Sequence, residues 1–193
     1  MFNTSKKNII LFVLFIFFIS LILFFWQHTF KVQEKNLNTL KYEKIIKKIN
    51  IKNPKNLKKI EKFIIQNNNI FGTLTALSLA KKYVLYNDLD KAFIQLDNSL
   101  KYTKDENLKN ILKLNMAKIQ IQKHKNKEAM NILKTIHNHS WDNIIENMKG
   151  DIFMNINNPK EAIKFWNKSL LNESSNASRE IINMKINELK EKK

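Results

Sequence analysis

Apolar residues are arranged along this chain in two ways. Ile9 to Trp26 is an unbroken run of 18 residues, IILFVLFIFFISLILFFW, with Ser20 as its small polar member. At about 1.5 Å rise per residue such a run reaches roughly 27 Å, close to the hydrocarbon thickness of a bilayer. It predicts a transmembrane helix, starting at Ile9, centred near Phe18, with Trp26 where an interfacial aromatic belongs. The competing reading is a cleavable signal peptide with Lys6 and Lys7 as its basic region. The run is long for that, and Gln27-His28-Thr29-Phe30 lacks a pair of small residues for cleavage. A second run of this kind does not occur, so a single pass is expected. Lysines flank the run at background frequency on both sides, which leaves its orientation open.

From Gln27 onward the apolar positions recur with a period of 3.6, the mark of amphipathic helices. Val32 to Ile49 is expected to continue the first helix. Asn53-Pro54 breaks it, because the residue before proline resists the α region. Lys55 to Gln66 starts again with Leu57, Ile60 and Ile64 on one face, and Asn67 to Asn69 forms a loop. The last helix, Ala177 to Lys193, carries Ile182, Ile186 and Leu189 and is expected to cap an otherwise exposed end.

Between them lies an internal repeat. Asp90-Lys91-Ala92, Lys127-Glu128-Ala129 and Lys160-Glu161-Ala162 recur 37 and then 33 residues apart. Twelve positions before each alanine stands a small residue, Ala80, Ala117 or Gly150, and nine before stands Tyr83, Gln120 or Phe153. Four after stands a large one, Leu96, Leu133 or Trp166. Two helices joined by a short turn approach closely only where small residues meet, and large residues fill the space further out. This is the tetratricopeptide pattern, clearest in Gly150 to Ser169. The expected fold is all-α: one N-terminal transmembrane helix, then a tetratricopeptide-like solenoid of helix pairs. The divisions are 1–8 as a short cytoplasmic tail, 9–26 as the membrane helix, 27–68 as a helical connector and 69–193 as the repeat domain. In such an array the first helix of each pair lines a concave face, here Leu77, Lys81, Lys118, Gln122, Asn147, Asp151 and Asn155 as a partner groove.

Composition narrows the function. With 2 Gly in the chain, glycine-rich phosphate-cradling loops cannot be built, and Gly72 and Gly150 are the residues expected wherever the backbone needs positive φ. Without Cys there is no disulfide, thiolate metal site or thiol nucleophile. The net charge of +17 points toward polyanions. Against that, 33 Lys stand beside the single Arg179, together with 28 Asn and 27 Ile, as A/T-rich codons produce. Nucleic-acid surfaces use the planar fork of arginine, so no nucleic-acid partner is expected. His137-Asn138-His139 lacks a third ligand in reach, and the acidic residues scatter beside lysines as surface pairs. No catalytic residue, metal, cofactor or small-molecule substrate is expected.

Several words in fixed order carry a more specific likeness. They are Phe71-Gly72-Thr73-Leu74 with Leu77-Ser78-Leu79-Ala80, Thr103 to Lys109 opening a helix with Leu114, Ala117 and Ile121, then Leu133-Lys134-Thr135-Ile136, Trp141, Lys149-Gly150-Asp151, Phe165-Trp166 and Met184 to Asn187. From about Asn69 to Leu189 the chain resembles the YfgM family, the ancillary subunit of the bacterial SecYEG translocon. The resemblance implies a non-catalytic, single-pass protein of the bacterial inner membrane with its repeat domain in the periplasm. It also implies two partners, the translocon and a membrane-anchored periplasmic chaperone, with emerging chains handed from one to the other. The eight residues before the apolar run are fewer than the family generally carries, and the domain is unusually basic. The rival expectation is a membrane-anchored, cytosol-facing adaptor of another assembly.

Overall fold

The computed structural model describes residues 15–26 and 38–191. The chain divides into two compact units, Met1–Lys47 and Lys48–Lys193. In the first, residues 15–26 and 38–46 are helical. Ile9 and the rest of the apolar run before Phe15 lie outside the described residues. Among the described residues no helix is long and apolar enough to cross a membrane.

The second unit is helical throughout, with no strand among its described residues. Helix α1 (Pro54–Gln66) begins where its sequence dictates: Asn53 is the N-cap, its side chain accepting from Asn56 N, and Pro54 takes the first turn, where its missing N–H costs nothing. Ile60 and Ile64 are its buried face. Then follow α2 (Ile70–Leu85), α3 (Leu89–Tyr102), α4 (Glu106–Gln122), α5 (Asn126–Lys134), a 3₁₀ turn (His139–Trp141), α6 (Asp142–Asn155), α7 (Pro159–Leu171) and α8 (Asn176–Glu191). Helices α2 and α3, α4 and α5, and α6 and α7 pack as pairs.

Each pair turns the same way, and not on glycine. Asn87, His124 and Asn157 have φ of 58, 56 and 57°, and no glycine has positive φ. The expectation that Gly72 and Gly150 serve such positions is therefore corrected. The left-handed residue is held in each turn by a Schellman pair of hydrogen bonds. Asp88 N, Lys125 N and Asn158 N donate back to Tyr83 O, Gln120 O and Phe153 O at 2.8–2.9 Å. Asn87 N, His124 N and Asn157 N donate to Val84 O, Ile121 O and Met154 O at 2.9–3.0 Å. Those bonds satisfy the last carbonyls of the first helix and offset the left-handed backbone cost, which asparagine bears more easily than most residues that carry a Cβ.

The glycines answer a different need, which is space. A Cβ on Gly72 would stand 1.8 Å from Asn67 O, because the start of α2 runs against the backbone that ends α1. A Cβ on Gly150 would stand 2.3 Å from Cδ1 and Nε1 of Trp166.

Two apolar clusters hold the later pairs. Leu114, Ala117, Ala129 and Leu133 of the second pair join Ile145, Met148 and Ile152 of α6. Ala162 and Trp166 of α7 join Ile182 and Ile186 of α8. The last helix thus covers the apolar side that the third pair would otherwise show to water, as repeat arrays require at their ends.

Candidate functional site

The repeat positions sit at the crossings. Ala92, Ala129 and Ala162 have no exposed surface, and Ala80, Ala117 and Gly150 are buried opposite them. Leu96, Leu133 and Trp166 are buried four residues on, Tyr83 and Gln120 are buried, and Phe153 is half-buried and stacked on Phe165 at 5.0 Å between ring centroids. Gln120 is the polar member of its set, and its Oε1 is buried without a hydrogen bond. Burial pushes the Tyr83 phenol above its ordinary pKa, with the Glu61 carboxylate acting in the same direction.

Packing of the small residues leaves the first helices side by side, with two hollows between them. The first, about 420 Å³, is lined by Leu77 and Lys81 from α2 and by Lys118 and Gln122 from α4, over a floor that includes Ala80, Val84 and Ile119. The second, about 510 Å³, is lined by Lys118 of α4, Asn147 and Asp151 of α6, and Lys185 of α8. Lys118 and Asn115 belong to both.

Asn155 lines neither hollow. Its Nδ2 donates to Ile121 O at 2.8 Å and to Asn126 Oδ1 at 3.2 Å, so it ties the third pair to the turn of the second. Asn147 and Asp151 are engaged from within the chain. Trp166 Nε1 donates to Asn147 O at 3.2 Å and to Asp151 Oδ1 at 3.1 Å. Lys185 Nζ reaches Asn147 Oδ1 at 3.0 Å and Asp151 Oδ1 at 2.6 Å, and lies 5.4 Å from the centre of the Trp166 ring. Lys81 and Lys118 are exposed and make no ion pair or hydrogen bond among the described residues.

One set of lining residues escapes a reading that starts from the groove centre. Leu74, Ile111 and Ile144 stand eighteen residues before Ala92, Ala129 and Ala162, and all three line the hollows. Ile181 of α8 lines the second hollow beside them and is 55% exposed. The signal was present in the repeat register, which fixes equivalent positions at any offset. A third hollow of about 270 Å³ lies between α1 and α3, lined by Ile65, Asn98 and Tyr102 among others. Among the described residues no group of three or more His, Cys, Asp or Glu could hold a metal ion.

Residues 2–191 match the model of the tetratricopeptide repeat-like domain family. The chain is 70% identical to a protein of Buchnera aphidicola subsp. Acyrthosiphon pisum named ancillary SecYEG translocon subunit, over 99% of each chain. A protein of the same name from Buchnera aphidicola subsp. Schizaphis graminum is 56% identical over 97% of this chain and 98% of its own. The chain belongs to the YfgM family. A more distant YfgM relative, the Escherichia coli K12 protein of that name, is 30% identical over 86% of this chain and 80% of its own. No solved structure matches the chain. The YfgM match covers nearly the whole sequence, and the helix pairs lie within the tetratricopeptide repeat-like domain.

Proposed function

We propose that this YfgM-family chain is a non-catalytic, membrane-anchored scaffold at the SecYEG translocon, whose inner helical face links emerging secretory chains to a membrane-anchored periplasmic chaperone. The observation that carries the reading is the pair of open hollows on the first helices, in a chain whose 70%-identical relative bears the name ancillary SecYEG translocon subunit. An open face of stacked helices suits a segment of another protein better than a small molecule, which is usually enclosed.

Anchoring is part of the proposal. Residues 15–26 form a helix with Phe15, Ile16, Phe17, Phe18 and Ile22 all at least half exposed. A helix apolar all round belongs inside a large core or in lipid. The sequence adds Ile9 to Leu14 to the same apolar run, which completes a span. Confinement to the membrane plane raises the effective concentration of the repeat domain beside the channel. In this proposal the repeat domain lies on the periplasmic side, as the resemblance to the translocon-associated family implies.

A photo-crosslinking residue at Lys118 or Asn147 is expected to trap translocon subunits or a membrane-bound periplasmic chaperone. Recovery of cytosolic proteins alone would overturn the reading. A reporter fused after Lys193 decides the side: activity in the cytoplasm would favour the cytosol-facing adaptor instead.

A further inference from the structure

The first hollow carries positive charge that no ion pair among the described residues answers. Lys81 and Lys118 occupy the same register position in neighbouring pairs, eleven residues before Ala92 and Ala129. Both line this hollow, and no acidic residue lines it with them. At the same register position in the third pair stands Asp151, and there the chain supplies the counter-charge itself, from Lys185 at 2.6 Å. The acid of this row is thus matched internally, and the two lysines are not. Beside the lysines the lining combines apolar Leu74, Leu77, Ala80 and Val84 with the uncharged polar side chains of Ser78, Asn115 and Gln122.

We infer that the first hollow takes an extended segment of a partner protein in which two carboxylates flank apolar side chains. The carboxylates meet Lys81 and Lys118, and the apolar side chains seat on Leu74 and Leu77. This rests on the inner face being a partner groove, and it adds the chemistry of the occupant. Neighbouring packed helices lie about 8–10 Å apart, and an extended chain rises about 3.3 Å per residue. Acids about three residues apart therefore reach both ammonium groups. A bare polyanion would satisfy the lysines and leave the apolar floor in water, and an uncharged apolar segment would do the reverse.

The test uses the full chain in nanodiscs of zwitterionic lipid, with three fluorescein-labelled peptides followed by anisotropy: Ser-Asp-Leu-Leu-Asp-Ser, Ser-Asn-Leu-Leu-Asn-Ser and Ser-Asp-Ser-Ser-Asp-Ser. The first is expected to bind roughly tenfold or more tightly than either other, as two exposed charge pairs allow, and to lose that advantage as salt rises. Lys81→Glu combined with Lys118→Glu abolishes the preference, and the milder Lys81→Gln with Lys118→Gln lowers it in the same direction. Lys134→Glu with Lys190→Glu, the same change in net charge at lysines lining neither hollow, leaves it intact. Equal binding of the two leucine peptides would overturn the inference while leaving the groove reading in place. Equal binding of the two aspartate peptides would overturn it in favour of a bare polyanion site. No binding of any peptide would overturn it as well, and the crosslinking experiment would then judge the groove reading by itself.

Discussion

Gly150 and Trp166 meet at the crossing of the third pair. The indole fills the space a Cβ would need, and its Nε1 is held by Asn147 O and Asp151 Oδ1. Gly150→Ala forces the ring to move and strains both hydrogen bonds. We expect a loss of about 1–3 kcal/mol in denaturant unfolding, as overpacking usually costs. In a Trp166→Leu background the same change should cost less, and the difference between the two measures their coupling. Gln120 is the opposite case. It sits where the other pairs have Tyr83 and Phe153, and its Oε1 is buried unpaired, which costs about 1–3 kcal/mol. Gln120→Leu is expected to raise the melting temperature, and a fall would mean that this oxygen is satisfied by water in solution.

At the scale of elements, the turns explain both what the sequence disclosed and what it concealed. Helix starts were legible because their chemistry is local: Asn53 before Pro54, and Asn158 before Pro159, each accept from the N–H three residues on. The left-handed positions were not legible, because Asn87, His124 and Asn157 share a conformation and not a residue type. That conformation is set by the backbone hydrogen bonds that close each first helix, which any residue type supplies.

The equivalent N-cap positions give a direct comparison. Asp88 accepts from Lys91 N at 3.1 Å, Asn158 accepts from Glu161 N at 3.2 Å, and Lys125 caps α5 with no side-chain bond. Lys125→Asp should therefore stabilise the chain by about 0.5–2 kcal/mol in the same unfolding assay. A hydrogen bond from the Lys91 ammonium holds the Asp88 carboxyl below its ordinary pKa, and Asp88 holds Lys91 above its own. The carboxylate's contribution to stability is complete above the ordinary carboxylate value and is lost as pH falls through the lowered one. The lysine's contribution is complete below the ordinary lysine value and is lost as pH rises through the raised one. In carboxyl-detected NMR titrations, Lys91→Met should move the Asp88 midpoint back up.

In the whole molecule, stability is a sum over neighbours, because each pair touches chiefly the next. Ile182 of α8 is 1% exposed and packs with Ala162 and Trp166. Ile182→Ala should cost about 2–5 kcal/mol. The loss should be local: amide exchange should quicken in α7 and α8 and stay slow in α2 and α3. Uniform acceleration would show that the array unfolds as one block. At this scale the recurrence of small and large residues disclosed the helix pairs. The ion pair of Lys185 with Asp151 was hidden, because nothing in the sequence brings residues 34 positions apart together until α8 packs against the third pair.

Lys118 stands on the boundary of the two hollows and lines both. An ammonium group carries one unit of charge, so an anion that neutralises it from one side weakens its pull on the other. Two short occupants seated side by side would antagonise each other. One long occupant crossing Lys118 would meet no such conflict. The shared lysine therefore turns two adjacent cavities into a gauge of reach, rewarding a chain that spans both over a pair of chains that each fill one.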